Sequence, residues 1–156
     1  MQTRPTHFID FEASGIAPDS YPIAIGIALP DSELYSLIRP VRYWTHWSYD
    51  AQDMHGIERS TLFRQGTPAR KLANRLNRLF AGLTLCCDNP ADCFWFDVLF
   101  EAAGVENRVG IQPLEAWVGR EAASAIQLHL PSRKAHNAVQ DARDLQAAFD
   151  HWQRRL

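Results

Sequence analysis

At 156 residues, 46% of them hydrophobic and 22% charged, the chain has the length and make-up of one ordinary soluble globular domain, which excludes a disordered or fibrous class. Its net charge of −2 excludes overall basicity as a means of holding nucleic acid, so such binding would need a local basic surface. No apolar run is long enough to cross a bilayer and the N-terminus lacks the basic and apolar regions of a signal peptide, so the expectation is a cytoplasmic protein without a membrane partner.

The first predicted element is the most informative. His7 to Gly15 reads His-Phe-Ile-Asp-Phe-Glu-Ala-Ser-Gly, and Phe8, Ile9 and Phe11 favour a strand. On a strand, Asp10 and Glu12 point to one face. Two carboxylates side by side repel each other, and burying them is costly unless a cation or a partner neutralises them. The pattern suggests a cation site, although a strand end whose polar face meets water would read the same. A turn at Ala17-Pro18-Asp19-Ser20 leads to Pro22 to Leu29, an Ile- and Ala-rich buried strand, and Pro30-Asp31-Ser32 leads to a third strand, Glu33 to Arg39. The three form a predicted antiparallel meander. Tyr43 to Tyr49 then carries four aromatics in seven residues without helical or strand period. Exposed, these rings could stack on bases at about 1–3 kcal/mol each; folded back, they would plug an edge of the core.

Thr67 and Pro68 read as the N-cap and first residue of a helix with Leu72, Leu76, Leu79 and Phe80 on its apolar face. Lys71, Arg75 and Arg78 share another face, and the five cations from Arg64 to Arg78 have no acid among them. That stretch could follow a phosphate backbone or be solvated surface. Gly82 ends the helix, Leu83 to Cys87 reads as a buried strand, Asp88 to Asp92 as a polar turn, and Cys93 to Ala103 as a helix stopped by Gly104. Cys86, Cys87 and Cys93, odd in number and clustered, read as reduced core thiols and lack zinc spacing. A fifth strand is expected at Val109 to Leu114, then a helix from about Glu121 to His129, a loop from Pro131 to Lys134 and a last helix from about Asn137 to Arg155. Strands alternating with helices imply parallel pairing added to the meander.

The last helix opens with His136 five residues before Asp141. Acids on a strand, a helix start and a last helix, with one histidine, are what two-metal phosphodiester hydrolysis requires. Carboxylate oxygens suit Mg2+ and Mn2+, and a histidine with an ordinary pKa of about 6.5 can take a proton from water near neutrality.

These residues resemble the DEDDh branch of the DEDD 3′→5′ exonucleases. The family's first motif, Asp-x-Glu-x-x-Gly, is matched by Asp10, Glu12 and Gly15, and its third, His-x4-Asp followed by Ala, by His136, Asp141 and Ala142. The second, Asn-x-x-Phe-Asp-x-x-Phe-Leu with a later Leu and Gly, fits best in the register of Asp92, which places Trp95, Phe96, Phe100 and Gly104 at its apolar and glycine positions. Asp88 stands where the family has Asn and Ala91 where it has Phe; a register on Asp97 gains Phe96 and Phe100 but loses the turn and the helix start.

The resemblance spans nearly the whole chain, with motifs from Asp10 to Asp141, and implies a single exonuclease domain over residues 1–156. It implies an α/β, ribonuclease H-like fold: a mixed five-stranded sheet, antiparallel meander plus parallel strands, flanked by helices. It implies that Asp10, Glu12, Asp92 and Asp141 hold two Mg2+ or Mn2+ ions and that His136 is the general base. Ala13, Ser14 and Gly15 would hold the terminal nucleotide, and His55 of His55-Gly56-Ile57 would lie near the substrate or cap a turn. The implied reaction releases 5′-monophosphates from the 3′ end of single-stranded RNA or DNA, in a protein that could form a homodimer as many relatives do. Rival readings are a catalytically inert nucleic-acid-binding or adaptor module, and a hydrolase of very short oligonucleotides or nucleotide conjugates.

Overall fold

The computed structural model describes residues 2–156. Strands β1 (Phe8–Ala13), β2 (Pro22–Ala28) and β3 (Glu33–Arg39) form the expected meander, with Asp10 opposite Gly26 and Glu12 opposite Ala24. On its other side β1 meets β5 (Thr84–Cys87) in parallel, and β6 (Gly110–Pro113) extends that parallel half.

The sheet has six strands, not five, in the order β4-β3-β2-β1-β5-β6. The additional strand is β4 (Thr67–Pro68), parallel to β3 at the sheet edge with Ile38 opposite Thr67. This corrects the reading of Thr67 and Pro68 as the start of a helix. The Thr67 hydroxyl hydrogen-bonds the Ser36 hydroxyl at 2.8 Å across the two strands, and proline, having no N–H to give, suits a sheet edge. Helix α3 (Ala69–Phe80) therefore starts one residue later than expected, with Pro68 extended at its N-cap.

Two helical layers cover the sheet, and β2 shows how the sequence builds both. Ile23, Ile25 and Ile27 are fully buried against one layer, each contributing about 1.5–3 kcal/mol by leaving water. That layer holds α2 (Arg59–Gln65), α3 and α4 (Ala91–Ala103). The alternate residues Ala24, Gly26 and Ala28 are small, so α7 (Ala138–Gln153) can lie close on the opposite face. Phe8 packs there on Phe149 at 5.6 Å between ring centroids, beside Leu114 of α5 (Leu114–Val118) and Ile126 of α6 (Arg120–Gln127). At Gly26 the approach is backbone on backbone: a Cβ there would sit 2.2 Å from the Val139 nitrogen.

The aromatic stretch divides. Trp44 folds into the core and stacks on Tyr21 at 5.1 Å, whereas Tyr43 and Tyr49 are exposed. Tyr49 begins α1 (Tyr49–His55), capped by the Ser48 hydroxyl, which accepts the Ala51 N–H. The three cysteines are free, and burial pushes the Cys86 and Cys87 thiols up, so both remain protonated core residues.

Candidate active site

The site forms where β1 loses its parallel neighbour. Pairing between β1 and β5 is limited to Phe8 opposite Cys86, and beyond it the Phe11 N–H donates to Asp92 Oδ1 at 3.2 Å. Asp92 occupies the first turn of α4, where the Asn89 side chain accepts the Ala91 N–H and the Asn89 carbonyl accepts the Asp92 N–H, both at 2.9 Å. Asp141 lies in the first turn of α7. Asn137 caps that turn by accepting the Gln140 N–H at 3.0 Å through its side chain and the Asp141 N–H at 2.8 Å through its carbonyl. Just before the cap, His136 takes a left-handed φ of 55°, a conformation uncommon for a residue with a side chain.

Asp10, Glu12 and Asp141 each bring a carboxylate oxygen to within 4.8 Å of the others. Asp92 stands outside this trio but beside Asp10, buried with it; Asp97, the alternative in the second motif, is exposed further along α4. Asp10 Oδ2, Asp92 Oδ2 and both oxygens of Asp141 are buried without a hydrogen-bond partner. Burial first, and the Asp92 charge second, hold the Asp10 carboxyl well above the usual range. Glu12 is pushed to about 7 by burial and then by Asp141, and burial also raises Asp92 and Asp141.

The opposing charge comes from Lys134, a residue of the loop before α7 that carries no motif of its own. Its Nζ lies 3.8 Å from Asp10 Oδ1. Burial pulls its pKa down, but the surrounding carboxylates, Asp10 first, outweigh that and hold it above the ordinary value. A lysine two residues before His136 was the signal available.

The other predicted site residues are placed less uniformly. Ala13 is half-buried at the irregular end of β1. Ser14 is buried and fully engaged within the protein: its N–H donates to the Tyr21 carbonyl, its carbonyl accepts the Ser48 N–H, and its hydroxyl accepts the Tyr21 N–H and meets His46 Nδ1 at 3.0 Å. Gly15 lies under the same imidazole, where a Cβ would be 2.5 Å from His46 Cε1. Ser14 and Gly15 thus seat His46. His55 ends α1 and caps a turn, its Nδ1 accepting the Ile57 N–H at 3.0 Å. The other ring nitrogen, Nε2, is buried without a partner. Burial first, and the charge of His136 second, lower the His55 pKa.

Buried carboxylates stay ionised only beside positive charge, and an all-oxygen donor set matches a hard divalent cation. The residues present therefore fit Mg2+ or Mn2+.

No protein-family model and no curated protein matches the chain. Among solved structures, the zinc-bound complex of E. coli exonuclease I with single-stranded DNA superposes on 99% of the chain with a TM-score of 0.72 at 15% identity. The chain shares the ribonuclease H-like α/β fold of that structure. An exonuclease I structure interpreted in terms of processivity gives 0.71 at 16% identity over 96% of the chain, and exonuclease I of Methylocaldum szegediense gives 0.63 at 12% over 90%. The chain spans 41%, 41% and 38% of the lengths of these three structures. In this ribonuclease H-like frame the acids gather at the carboxyl end of β1, where neighbouring strands part, the position that open α/β sheets use for ligands.

Proposed function

We propose that the chain is a metal-dependent 3′→5′ exonuclease acting on single-stranded nucleic acid. The observation that carries this reading is the set of unpartnered buried oxygens on Asp10, Asp92 and Asp141, with Glu12 beside them. The fold agrees, being shared with exonuclease I structures that hold single-stranded DNA.

Asp10, Glu12, Asp92 and Asp141 would hold the two ions. Bound there, Mg2+ or Mn2+ would lower the pKa of a water molecule and neutralise charge developing on the scissile phosphate. His136, swung out of the helix line by its left-handed backbone, accepts the proton of the attacking water on its ring. Water oxygen forms the new bond to phosphorus as the bond to the preceding 3′-oxygen breaks, so the product carries a 5′-phosphate. Lys134 balances the acids before metal and substrate arrive. His55 Nε2, a buried donor without a partner, is available to the terminal nucleotide.

The test is degradation of 5′-labelled single-stranded RNA and DNA of one sequence in Mg2+, Mn2+ or EDTA, with Asp10→Asn as control. A ladder shortening from the 3′ end, dependent on metal and lost in the variant, is the expected result. Intact strands in both metals would end the reading and favour an adaptor.

A further inference from the structure

Charge is unevenly distributed along the chain. Between Arg59 and Cys87 there are six basic residues and no acid, in a protein whose net charge is −2. Four of these, Arg70, Lys71, Arg75 and Arg78, lie exposed on one side of α3, and with Pro68 and Asn74 they line an open groove of about 550 Å3. Among the described residues none of the four forms an ion pair with an acid. The opposite side of α3, Ala69, Leu72, Ala73, Leu76 and Phe80, is buried, so packing fixes the basic side outward.

The strand register locates this groove relative to the acids. Glu12 is opposite Ala24, Ala24 is opposite Leu37, and the next residue of β3, Ile38, is opposite Thr67. One row across the sheet thus joins the acidic site to the residue two before α3. With strands about 4.8 Å apart, three spacings put the start of α3 about 14 Å from β1 in the plane of the sheet and at the same end. Helix α3 lies on the face of Ile9 and Phe11 and the acids on the other, so a nucleic-acid strand reaches it over that end of the sheet. From Arg70 to Arg78 the helix advances about 12 Å at 1.5 Å per residue, so the cations form a line and do not converge on one point. A single small anion would need convergence. A line suits successive phosphates, spaced about 3.4 Å along a stacked strand, and three of the four cations are arginines, whose planar fork matches phosphate oxygens.

We infer that this side of α3 binds the sugar–phosphate backbone of a single strand several nucleotides upstream of the 3′ end held at Asp10. The inference rests on the exonuclease reading for the position of that end. A path longer than the in-plane span of about 14 Å corresponds to more than about four stacked nucleotides, so a trinucleotide does not reach the groove.

The experiment replaces Arg70, Lys71, Arg75 and Arg78 together by Gln, which keeps helix propensity, with Arg75→Gln/Arg78→Gln as a milder second variant. Affinity for a fluorescent oligothymidylate of about 20 nucleotides is measured in Ca2+ across a salt series, alongside turnover of a trinucleotide in Mn2+. Each phosphate contact on a single strand contributes about 0.7 to the slope of log K against log salt, so the quadruple variant should flatten the slope by up to about 3 and the double by up to about half that. Affinity for the long strand should fall tenfold or more near 0.05 M salt, with trinucleotide turnover unchanged. Equal affinity and slope in wild type and both variants would overturn the inference while leaving the exonuclease reading intact. Wild type that binds the long strand through these residues yet hydrolyses nothing would retain the groove and end the exonuclease reading. Polyglutamate held as tightly as the oligothymidylate, and lost in the same variants, would reassign the groove to an acidic protein.

Discussion

Asp92 performs two tasks that substitution can separate. Its Oδ1 takes the Phe11 N–H that has no strand to bond, while its charge raises the cost of ionising Asp10. Asp92→Asn keeps an acceptor and removes the charge; Asp92→Ala removes both. In EDTA the Asn variant should melt no lower than wild type. The Ala variant should lose about 1–3 kcal/mol relative to Asn, or roughly 2–10 °C in a chain of this size, because a buried N–H is left unpaired. Both should lack metal-dependent hydrolysis, and an Ala variant as stable as Asn would deny Asp92 its structural task. At this scale the sequence was partly legible. Motif spacing favoured Asp92 over Asp97, and Asp92 is the one buried beside Asp10. Lys134 escaped because a loop has no period from which the direction of a side chain can be read. Ser14 shows the converse: its position in a motif does not reveal that its polar groups are already engaged by Tyr21, Ser48 and His46.

Among the elements, α7 depends most on a single contact. It brings Asp141 to Asp10 by resting on Gly26, which is itself opposite Asp10 in the ladder. Gly26→Ala places a methyl group 2.2 Å from the Val139 nitrogen and 2.3 Å from the Ala138 carbonyl carbon, atoms that only a shift of the helix can move. Overpacking of this kind costs about 1–3 kcal/mol. The melting temperature should fall accordingly, and Mn2+ binding followed by electron paramagnetic resonance should weaken at least tenfold as Asp141 moves away. Unchanged Mn2+ affinity would show that α7 does not set the site. The Ile and Ala run of β2 was legible as a buried strand, but identifying the glycine beneath α7 requires the pairing of β1 with β2, which one strand's sequence does not contain. The seven-residue helices α1 and α2 are too short to display a helical period, and the two-residue β4 exists only through its partner β3.

For the whole molecule, the acid cluster links folding to pH. Asp10, Glu12, Asp92 and Asp141 all titrate above their usual values in the folded chain, Glu12 at about 7. From the ordinary carboxylate range near pH 4 up to about pH 7, the folded state therefore keeps protons that the unfolded chain releases, and stability falls as pH rises through that window. Metal-free protein should melt higher at pH 5 than at pH 6 and lower again at pH 7.5, whereas saturating Mg2+ or Mn2+ should remove the decline. Calorimetry near pH 6.5 in buffers of different ionisation enthalpy should show protons released as metal binds. A melting temperature independent of pH in EDTA would contradict the burial of these acids. The overall architecture was legible because three motifs in order and the alternation of apolar runs constrain the same sheet. Strand count was not, since β4 carries no apolar signal of its own.

The parting of β1 from β5 after Phe8 has one further consequence. A backbone N–H of the central strand is donated to a carboxyl that burial raises to about 7, while the amide of Cys86, bonded to the His7 carbonyl, belongs to the ordinary ladder. The Phe11 amide is thus a native spectroscopic reporter, sensing from inside the sheet whether Asp92 is protonated, ionised or engaged.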